Sequence, residues 1–277
     1  ILANEKISDP FIEKKIQIKI NSFRPNHFNS RLKLDSIDRN IFQVPLILID
    51  YPNMSNSFSV NSFENLMNQE GYSGIQGETG SFKDFYVENS YGSFIPETTV
   101  LGWFTSSEDF ENYGDDAPNS GNKVKQMIGE AIDEAELQGI DWSLFDNDND
   151  GYVDALNVVH AGPGAEEGNG NFIWSHKWNL GSERRFYDGV WIDDYTINPE
   201  KQSSGYGSSP GMVHIGVIVH EFGHALGLPD LYDTDYSSSG IGTWGVMSGG
   251  SWGGNGSSPW YPSHMCAWSK ITLDWAE

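Results

Sequence analysis

The order of apolar and polar positions along the chain predicts a mixed α/β domain. Residues 44–50 form a continuous apolar run that ends in Asp-Tyr-Pro, which is typical of a strand buried on both faces. Residues 124–135 repeat apolar side chains at spacings of three and four, and residues 81–89 do so over a shorter stretch. Both of these patterns predict amphipathic helices.

Shorter segments predict the remaining strands. Residues 152–160, 172–176 and 190–196 are rich in β-branched and aromatic side chains and are separated by Gly, Pro and Asn clusters, so we expect strands that pack against the helices. Isoleucines alternate with polar neighbours over residues 15–20, which predicts one half-exposed strand. Residues 240–262 are dominated by Gly, Ser and Trp without a period, which predicts a long irregular region with a functional role.

Charge divides the chain into two parts. The 277 residues carry a net charge of −23, yet residues 1–40 contain eight Lys and Arg against five acids. The other 8 basic and 34 acidic residues leave residues 41–277 at −26, and this contrast predicts a boundary near residue 40. Because an acidic surface repels nucleic-acid backbones and attracts divalent cations, we expect no nucleic-acid partner.

The ends and the single cysteine limit the class of protein further. Cys266 has no second cysteine to pair with, so no disulfide can form within the chain. No run of eighteen apolar residues exists, which predicts no membrane span, and the first residues lack the order of a signal peptide. Either the protein is therefore cytosolic, or the sequence begins after processing or at an artificial boundary. We expect it to be truncated at its C-terminal end, where residues 271–275 resemble the start of an ordered segment.

Candidate metal chemistry lies in the segment His220-Glu221-Phe222-Gly223-His224. Residues four apart on a helix lie about 40° from each other, so both imidazoles can face one ion. A catalytic zinc site uses three protein ligands and leaves the fourth position to water. Glu221 lies next to the same ion and can take the proton of that water.

A third ligand must come from outside this pattern. Gly227 can turn the chain sharply after the helix and bring Asp230 back towards the metal, six residues after His224. Asp233, Asp235 and His264 are alternatives, and Asp233 is the nearest of them. A glutamate from a separate downstream helix is excluded, because no Glu occurs between Glu221 and Glu277.

The segments around the two histidines and Met247 resemble those of a known peptidase family. The stretch from His220 to Asp230, followed by Leu-Tyr-Asp at 231–233 and Gly-Val-Met-Ser at 245–248, resembles the metzincins, and specifically the immune inhibitor A (M6) family of bacterial peptidases. The likeness extends through residues 90–93, 173–176, 195–200 and 249–252, and so covers roughly residues 41–275. Most metzincins close the motif with a histidine, whereas this family has an aspartate at the position of Asp230.

The resemblance implies a catalytic domain over residues 41–277 and a set of roles. The fold would be a twisted mixed sheet backed by helices, above a zinc-bearing helix and an irregular lower region whose Met-turn contains Met247. Tyr261 is a candidate for steadying the reaction intermediate. Substrate would lie in the cleft between the two regions, where residues 172–175 could pair with it as an edge strand. The family implies a secreted bacterial enzyme. The opposite charge balance of residues 1–40 favours the hypothesis that they are the remnant of an inhibitory pro-segment, and so that the protein is made as a zymogen. We expect a monomer that acts on proteins or peptides.

An acidic loop predicts a second metal. Residues 146–154 alternate oxygen-bearing side chains and have glycine at the sixth place, as calcium loops require. The twelfth place is Asn157 instead of glutamate, so the loop is not a complete EF-hand. The expected calcium ligands are Asp146, Asp148, Asp150, the Tyr152 carbonyl and Asp154.

These features together predict a zinc-dependent endopeptidase. Zinc would polarise the scissile carbonyl, and Glu221 would take a proton from the bound water and deliver it to the leaving amine. The alternative is a catalytically inactive adhesion or binding module that keeps the peptidase fold and is stabilised by calcium. An intact Glu221 favours the enzyme, because a purely structural role has no need of that carboxylate.

Overall fold

The computed structural model describes residues 41–74, 77–202, 211–235 and 237–277. The strand predicted over residues 15–20, and the whole 1–40 segment, lie outside the described residues. In chain order the strands are β1 (Ile41–Asp50), β2 (Ile95–Thr105), β3 (Leu156–Pro163), β4 (His176–Asn179), β5 (Arg185–Tyr187), β6 (Val190–Ile192), β7 (Asp194–Gln202) and β8 (Gly211–Met212). The helices are α1 (Val60–Asn68), α2 (Phe82–Asn89), α3 (Ser120–Leu137), α4 (Ile215–Ala225) and α5 (Ala267–Thr272).

Six strands form one mixed sheet in the order β2-β1-β3-β7-β4, and β8 pairs with β7. The first four strands in this order are parallel, whereas β4 and β8 run antiparallel to β7. Strands β5 and β6 form a separate hairpin. Strand β4 is therefore the antiparallel edge of an otherwise parallel sheet, which confirms the mixed α/β expectation.

The apolar run of residues 44–50 is explained by burial on two faces. Val44, Leu46 and Leu48 join a core with α1, α2 and α4, while Ile47 and Ile49 point to the opposite core with α3. Side chains alternate across a strand, so a strand covered on both sides must be apolar at every position. Helices thus cover both faces of the sheet, with α4 on the same side as α1 and α2.

Helix α4 is fixed to the domain by an aromatic cluster. Phe222 packs edge-on against Phe82 and Tyr86 of α2, with ring centroids 5.0 and 5.2 Å apart. The Tyr86 hydroxyl donates to the Val219 carbonyl at 2.8 Å. Helix α2 itself begins at a capping box in which Ser81 and Asp84 exchange hydrogen bonds. These contacts hold the helix that carries His220 and His224.

The prediction of a strand over residues 172–176 is wrong in its position. Regular pairing begins only at His176, and residues 172–175 are irregular. The Ile173 carbonyl accepts the Ala165 amide at 3.0 Å, and Ser175 bonds the Glu166 carboxylate. Because the 165–167 turn uses these polar groups, they are not available to a sheet neighbour.

Two other predicted strands are shifted or divided. Residue 152 makes only an isolated bridge with Trp191, and regular pairing in that segment starts at Leu156. The 190–196 segment breaks at Asp193, whose side chain accepts the Gly181 amide at 2.8 Å. The two helices predicted over 81–89 and 124–135 are confirmed, as is the irregular character of 240–262, which holds only two short 3-10 turns. None of the described helices is both long and apolar enough to cross a membrane.

His160 of β3 is a buried histidine with a perturbed pKa. The ring is 1% exposed, and its Nδ1 bonds the Ala161 carbonyl at 3.0 Å. Burial lowers the pKa of His160 to about 4, and the charge of His176 acts in the same direction. The Ala161 hydrogen bond opposes this shift only in part.

We predict that His160 makes the protein less stable in acid. The unfolded chain binds a proton near pH 6.5 and the folded chain only near pH 4, so stability is complete above pH 6.5 and declines as the pH falls towards 4. The loss is roughly 3 kcal/mol. Urea unfolding between pH 7 and 4 should show that the free energy of unfolding depends less on pH in His160→Gln than in the wild type. The exposed His264, replaced in His264→Gln, is the control; equal slopes for His160→Gln and the wild type would contradict the prediction.

Candidate active site

Helix α4 ends in a turn that directs the chain back across its own last residues. Leu228 donates its amide to the Gly223 carbonyl, and Gly227 donates to the His224 carbonyl, both at 3.0 Å. This is a Schellman motif, which needs a left-handed residue just beyond the helix. Gly227 supplies it with φ +92°. The chain therefore reverses within three residues, and Asp230 comes to lie beside the two histidines.

Two backbone carbonyls orient the two imidazoles. Nδ1 of His220 bonds the Val246 carbonyl at 2.8 Å, and Nδ1 of His224 bonds the Leu228 carbonyl at 2.7 Å. A carbonyl only accepts, so Nδ1 carries a proton in each ring; Nε2 then has the lone pair when the ring is neutral and a second proton when it is charged. Both Nε2 atoms face Oδ1 of Asp230, at 3.2 Å from His220 and 3.1 Å from His224. Carbonyl partners of this kind are typical of metal-binding histidines.

The three donors have the spacing of a tetrahedral metal site. Ligands that bind one zinc ion at 2.0–2.1 Å lie roughly 3.3 Å from one another. The two measured separations to Asp230 Oδ1 are 3.2 and 3.1 Å, and all three donor atoms lie within 4.8 Å of one another. The residues therefore fit a metal ion without rearrangement of the backbone.

Electrostatics at this cluster favour a cation. Burial lowers the pKa of His220, but the hydrogen bond with Asp230 and the charges of Glu221 and Asp230 outweigh it, so the pKa lies above its ordinary value. Two carboxylates beside a buried imidazole thus stabilise positive charge at this point. A metal ion between the same donors would satisfy that preference.

Glu221 lies next to this cluster without belonging to it. Its side chain is 3% exposed, and its Oε2 has no hydrogen-bond partner among the described residues. A buried carboxylate oxygen is costly unless it serves a group that binds there. The arrangement leaves this oxygen available to a water or substrate at the cluster.

Met247 packs against Gly223 of helix α4. It is 1% exposed, and a Cβ at Gly223 would overlap its Sδ atom. The Met247 carbonyl also accepts the Leu231 amide at 2.7 Å. Gly223 therefore lets the Met247 thioether pack directly against α4. The Met247 carbonyl also holds the chain next to Asp230.

The other sequence candidates are farther from the cluster or differently engaged. Asp233 accepts hydrogen bonds from Ser237 and Ser238 in its own exposed loop. Tyr261 is 43% exposed and packs its ring against Trp260, with centroids 5.6 Å apart. Asp230 is the acid that the structure brings to the histidines, whereas the role of Tyr261 stays a prediction.

Two side chains near the site were not predicted from the sequence. Tyr232 donates its hydroxyl to Asp230 Oδ2 at 2.8 Å. Glu166 accepts the Ser175 hydroxyl at 2.6 Å. Burial raises the pKa of Glu166, the Ser175 bonds lower it, and the charge of Glu221 raises it further. The position of Tyr232, two residues after Asp230, is a sequence signal that could have indicated its role. No comparable signal marks Glu166.

The acidic loop brings three of its predicted ligands together. Asp146, Asp148 and Asp154 offer oxygens within 4.8 Å of one another. Burial raises the pKa of Asp154 to about 7; hydrogen bonds from Asn147 lower it, and the charges of Asp148 and Asp146 raise it. Asp150 is not one of the three; its carboxylate accepts the Tyr152 amide at 3.0 Å.

A mixed α/β domain with two histidines, an acid and a separate glutamate at one cluster defines the catalytic domain of a metallopeptidase. The immune inhibitor A peptidase M6 catalytic domain matches residues 47–276, and the chain belongs to this family. Immune inhibitor A of Bacillus thuringiensis subsp. alesti is 36% identical over 209 residues, which are 63% of this chain and 29% of that protein. The pre-pro-metalloprotease PrtV of Vibrio cholerae serotype O1 is 31% identical over 242 residues, or 75% of this chain and 25% of that protein. The chain thus spans less than a third of the length of these relatives.

We predict that Asp230 and Asp233 differ in their effect on metal content. Asp230→Ala removes one of three donors at the cluster, so the purified variant should lose most of its metal on dialysis. Asp233→Ala is the matched control and should keep it, because Asp233 bonds its own loop. Elemental analysis of metal per chain is the measurement. Loss from Asp233→Ala with retention in Asp230→Ala would reverse the assignment.

Proposed function

We propose that this domain is a zinc-dependent endopeptidase that hydrolyses peptide bonds in proteins. The observation that carries the proposal is the convergence of His220 Nε2, His224 Nε2 and Asp230 Oδ1 beside a buried Glu221 that is not one of the three donors. Membership of the M6 metallopeptidase family supports the same conclusion.

Zinc suits the donor set. Two imidazole nitrogens and one carboxylate oxygen are ligands that zinc accepts in catalytic sites with three protein ligands. When bound, the metal lowers the pKa of its water and polarises the substrate carbonyl. The Val246 and Leu228 carbonyls hold the two rings with Nε2 towards the ion. Asp230 neutralises part of its charge.

Glu221 acts as the proton carrier. Its unpartnered Oε2 faces no competing donor among the described residues, so the carboxylate can accept a proton from water at the cluster. The same group then donates that proton to the amine that leaves. Only one side chain is needed for both transfers, and no covalent bond forms between enzyme and substrate.

Strand β4 is the proposed docking edge for substrate, in place of residues 172–175. It ends the sheet on the side of β7 and contacts helix α4. An extended peptide can add to such an edge as a further strand, with backbone hydrogen bonds that do not depend on sequence. This geometry would run the peptide past the metal helix.

Met247 would serve as the Met-turn; its thioether packs against Gly223, which lies between His220 and His224 in the chain. Secretion belongs to the proposal and is supported by family membership, acidity and the proposed calcium loop. The pro-segment role of residues 1–40 is proposed from their basic charge balance, and action as a monomer is also part of the proposal. The inactive binding module remains the competing function. A casein assay with and without 1,10-phenanthroline separates the two, because only the enzyme gives chelator-sensitive cleavage.

We predict that Glu221→Gln abolishes most activity while metal and fold persist. The amide keeps the shape of the carboxylate but cannot carry the proton, so kcat/KM for a peptide substrate should fall about 10²–10⁴-fold. Metal content and Tm should match the wild type. Glu134→Gln on the exposed side of α3 is the control and should be fully active. Wild-type turnover by Glu221→Gln would refute the mechanism.

We also propose calcium at the acidic loop. Asp146, Asp148 and Asp154 gather their oxygens there, and Gly151 has φ +89°, as a tight turn around a hard cation requires. The side-chain amide of Asn147 ties the loop to the sheet: its Oδ1 accepts the Gln43 amide at 2.7 Å, and its Nδ2 donates to the Gln43 carbonyl at 3.1 Å. An ion would therefore stabilise the junction between this loop and β1.

Removal of calcium should lower the Tm. A ligand that binds only the folded state adds about 2.7 kcal/mol at a concentration one hundred times its Kd. Protein stripped of metals and reloaded with zinc alone should show a lower Tm than protein reloaded with both zinc and calcium. Asp154→Asn should remove this difference. Identical melting curves with and without added calcium would exclude the calcium site.

A further inference from the structure

The two oxygens of Asp230 have different surroundings. Oδ1 lies 3.2 Å from His220 Nε2 and 3.1 Å from His224 Nε2. Oδ2 accepts a hydrogen bond from the Tyr232 hydroxyl at 2.8 Å. Oδ1 thus faces the two histidines, and Oδ2 accepts a hydrogen bond from an uncharged hydroxyl two residues along the chain.

The segment that carries Tyr232 is held by its backbone. The Leu231 amide donates to the Met247 carbonyl at 2.7 Å, and the Leu231 carbonyl accepts the Ile241 amide at 3.0 Å. Gly240 lies so close to Leu231 and Tyr232 that a Cβ there would overlap both. The backbone position of Tyr232 is therefore fixed by main-chain contacts that do not involve Asp230.

The consequence concerns how Asp230 can bind a metal. A carboxylate that turned freely could offer either oxygen or both, and a second oxygen would occupy the position that hydrolysis requires for water. A phenolic donor on Oδ2 engages that oxygen and sets the angle of the carboxylate plane. Oδ1 is then the only oxygen directed at the histidines.

We infer that Tyr232 is a positioning residue of the metal centre, which holds Asp230 as a ligand through Oδ1 alone. This inference rests on the proposed ligand role of Asp230. Tyr232 acts through Asp230 and is not assigned a contact with substrate. Its hydroxyl is thus expected to set the metal affinity and the geometry of the ligand set.

The test is Tyr232→Phe, which removes one oxygen and keeps the ring. Loss of a residue that orients a ligand typically weakens metal binding about 10–100-fold, so competition with a chromophoric chelator should give a higher zinc dissociation constant by that factor. The visible bands of the cobalt(II)-substituted protein should change in position and intensity, because they report the coordination number and geometry. Neither readout responds to a change in fold stability alone.

Tyr187→Phe is the matched control. The Tyr187 hydroxyl donates to Asp133 on α3, also at 2.8 Å, so the same chemical group is lost from an equivalent bond to another carboxylate. This variant should keep the wild-type zinc constant and cobalt spectrum. A zinc constant and cobalt bands for Tyr232→Phe that match the wild type would overturn the inference, even if its Tm were lower.

Failure of the inference can be told from failure of the proposed ligand set. If Asp230→Ala retains its zinc, Asp230 is not a ligand and both ideas fall. If Asp230→Ala loses its zinc while Tyr232→Phe behaves as the wild type, the ligand set stands and only the role of Tyr232 is rejected.

Discussion

The structure depends on three donor atoms that face one point from a helix and the turn that follows it. Two imidazole nitrogens lie 3.2 and 3.1 Å from a single carboxylate oxygen, in a place that burial separates from water. Charge in such surroundings is costly unless an opposite charge balances it. The carboxylates of Asp230 and Glu221 raise the pKa of His220, so positive charge is favoured there. A metal ion bound at this point, next to Glu221, would make the cluster a site for hydrolysis, as proposed above.

The local part of this site could be predicted from the sequence, and the tertiary part could not. The spacing of His220 and His224 fixes their shared face on any helix, and Gly227 marks the turn that returns Asp230. The carbonyls of Val246 and Leu228 carry no side-chain signal, so their hydrogen bonds to the rings are visible only in the fold. The Tyr232 contact was missed for a similar reason, since an aromatic residue in a loop is consistent with many roles.

Errors in the strands have a common physical cause. Apolar and β-branched residues mark burial, and burial in this domain does not always mean pairing. Residues 172–175 carry the composition of a strand, yet Ile173 and Ser175 bond the 165–167 turn. Residues 44–50 were predicted correctly because they form a short continuous apolar run bounded by turn residues, and the two helices because their apolar side chains recur at spacings of three and four. The sheet order, with β4 antiparallel at the edge, depends on contacts between residues far apart in sequence.

Irregular structure at the site is held by main-chain bonds as firmly as a regular element. Val246 and Met247 bond His220 and Leu231 through consecutive carbonyls, while the Met247 thioether packs against Gly223. One dipeptide therefore orients the His220 ring, fixes the path of the chain beside Asp230 and packs against helix α4 at Gly223. Because two of these three contacts use backbone atoms, side-chain identity at 246 matters less to the site than the course of the chain. The absence of a period over residues 240–262 thus reflects a segment shaped by the metal helix instead of one that lacks a fixed structure.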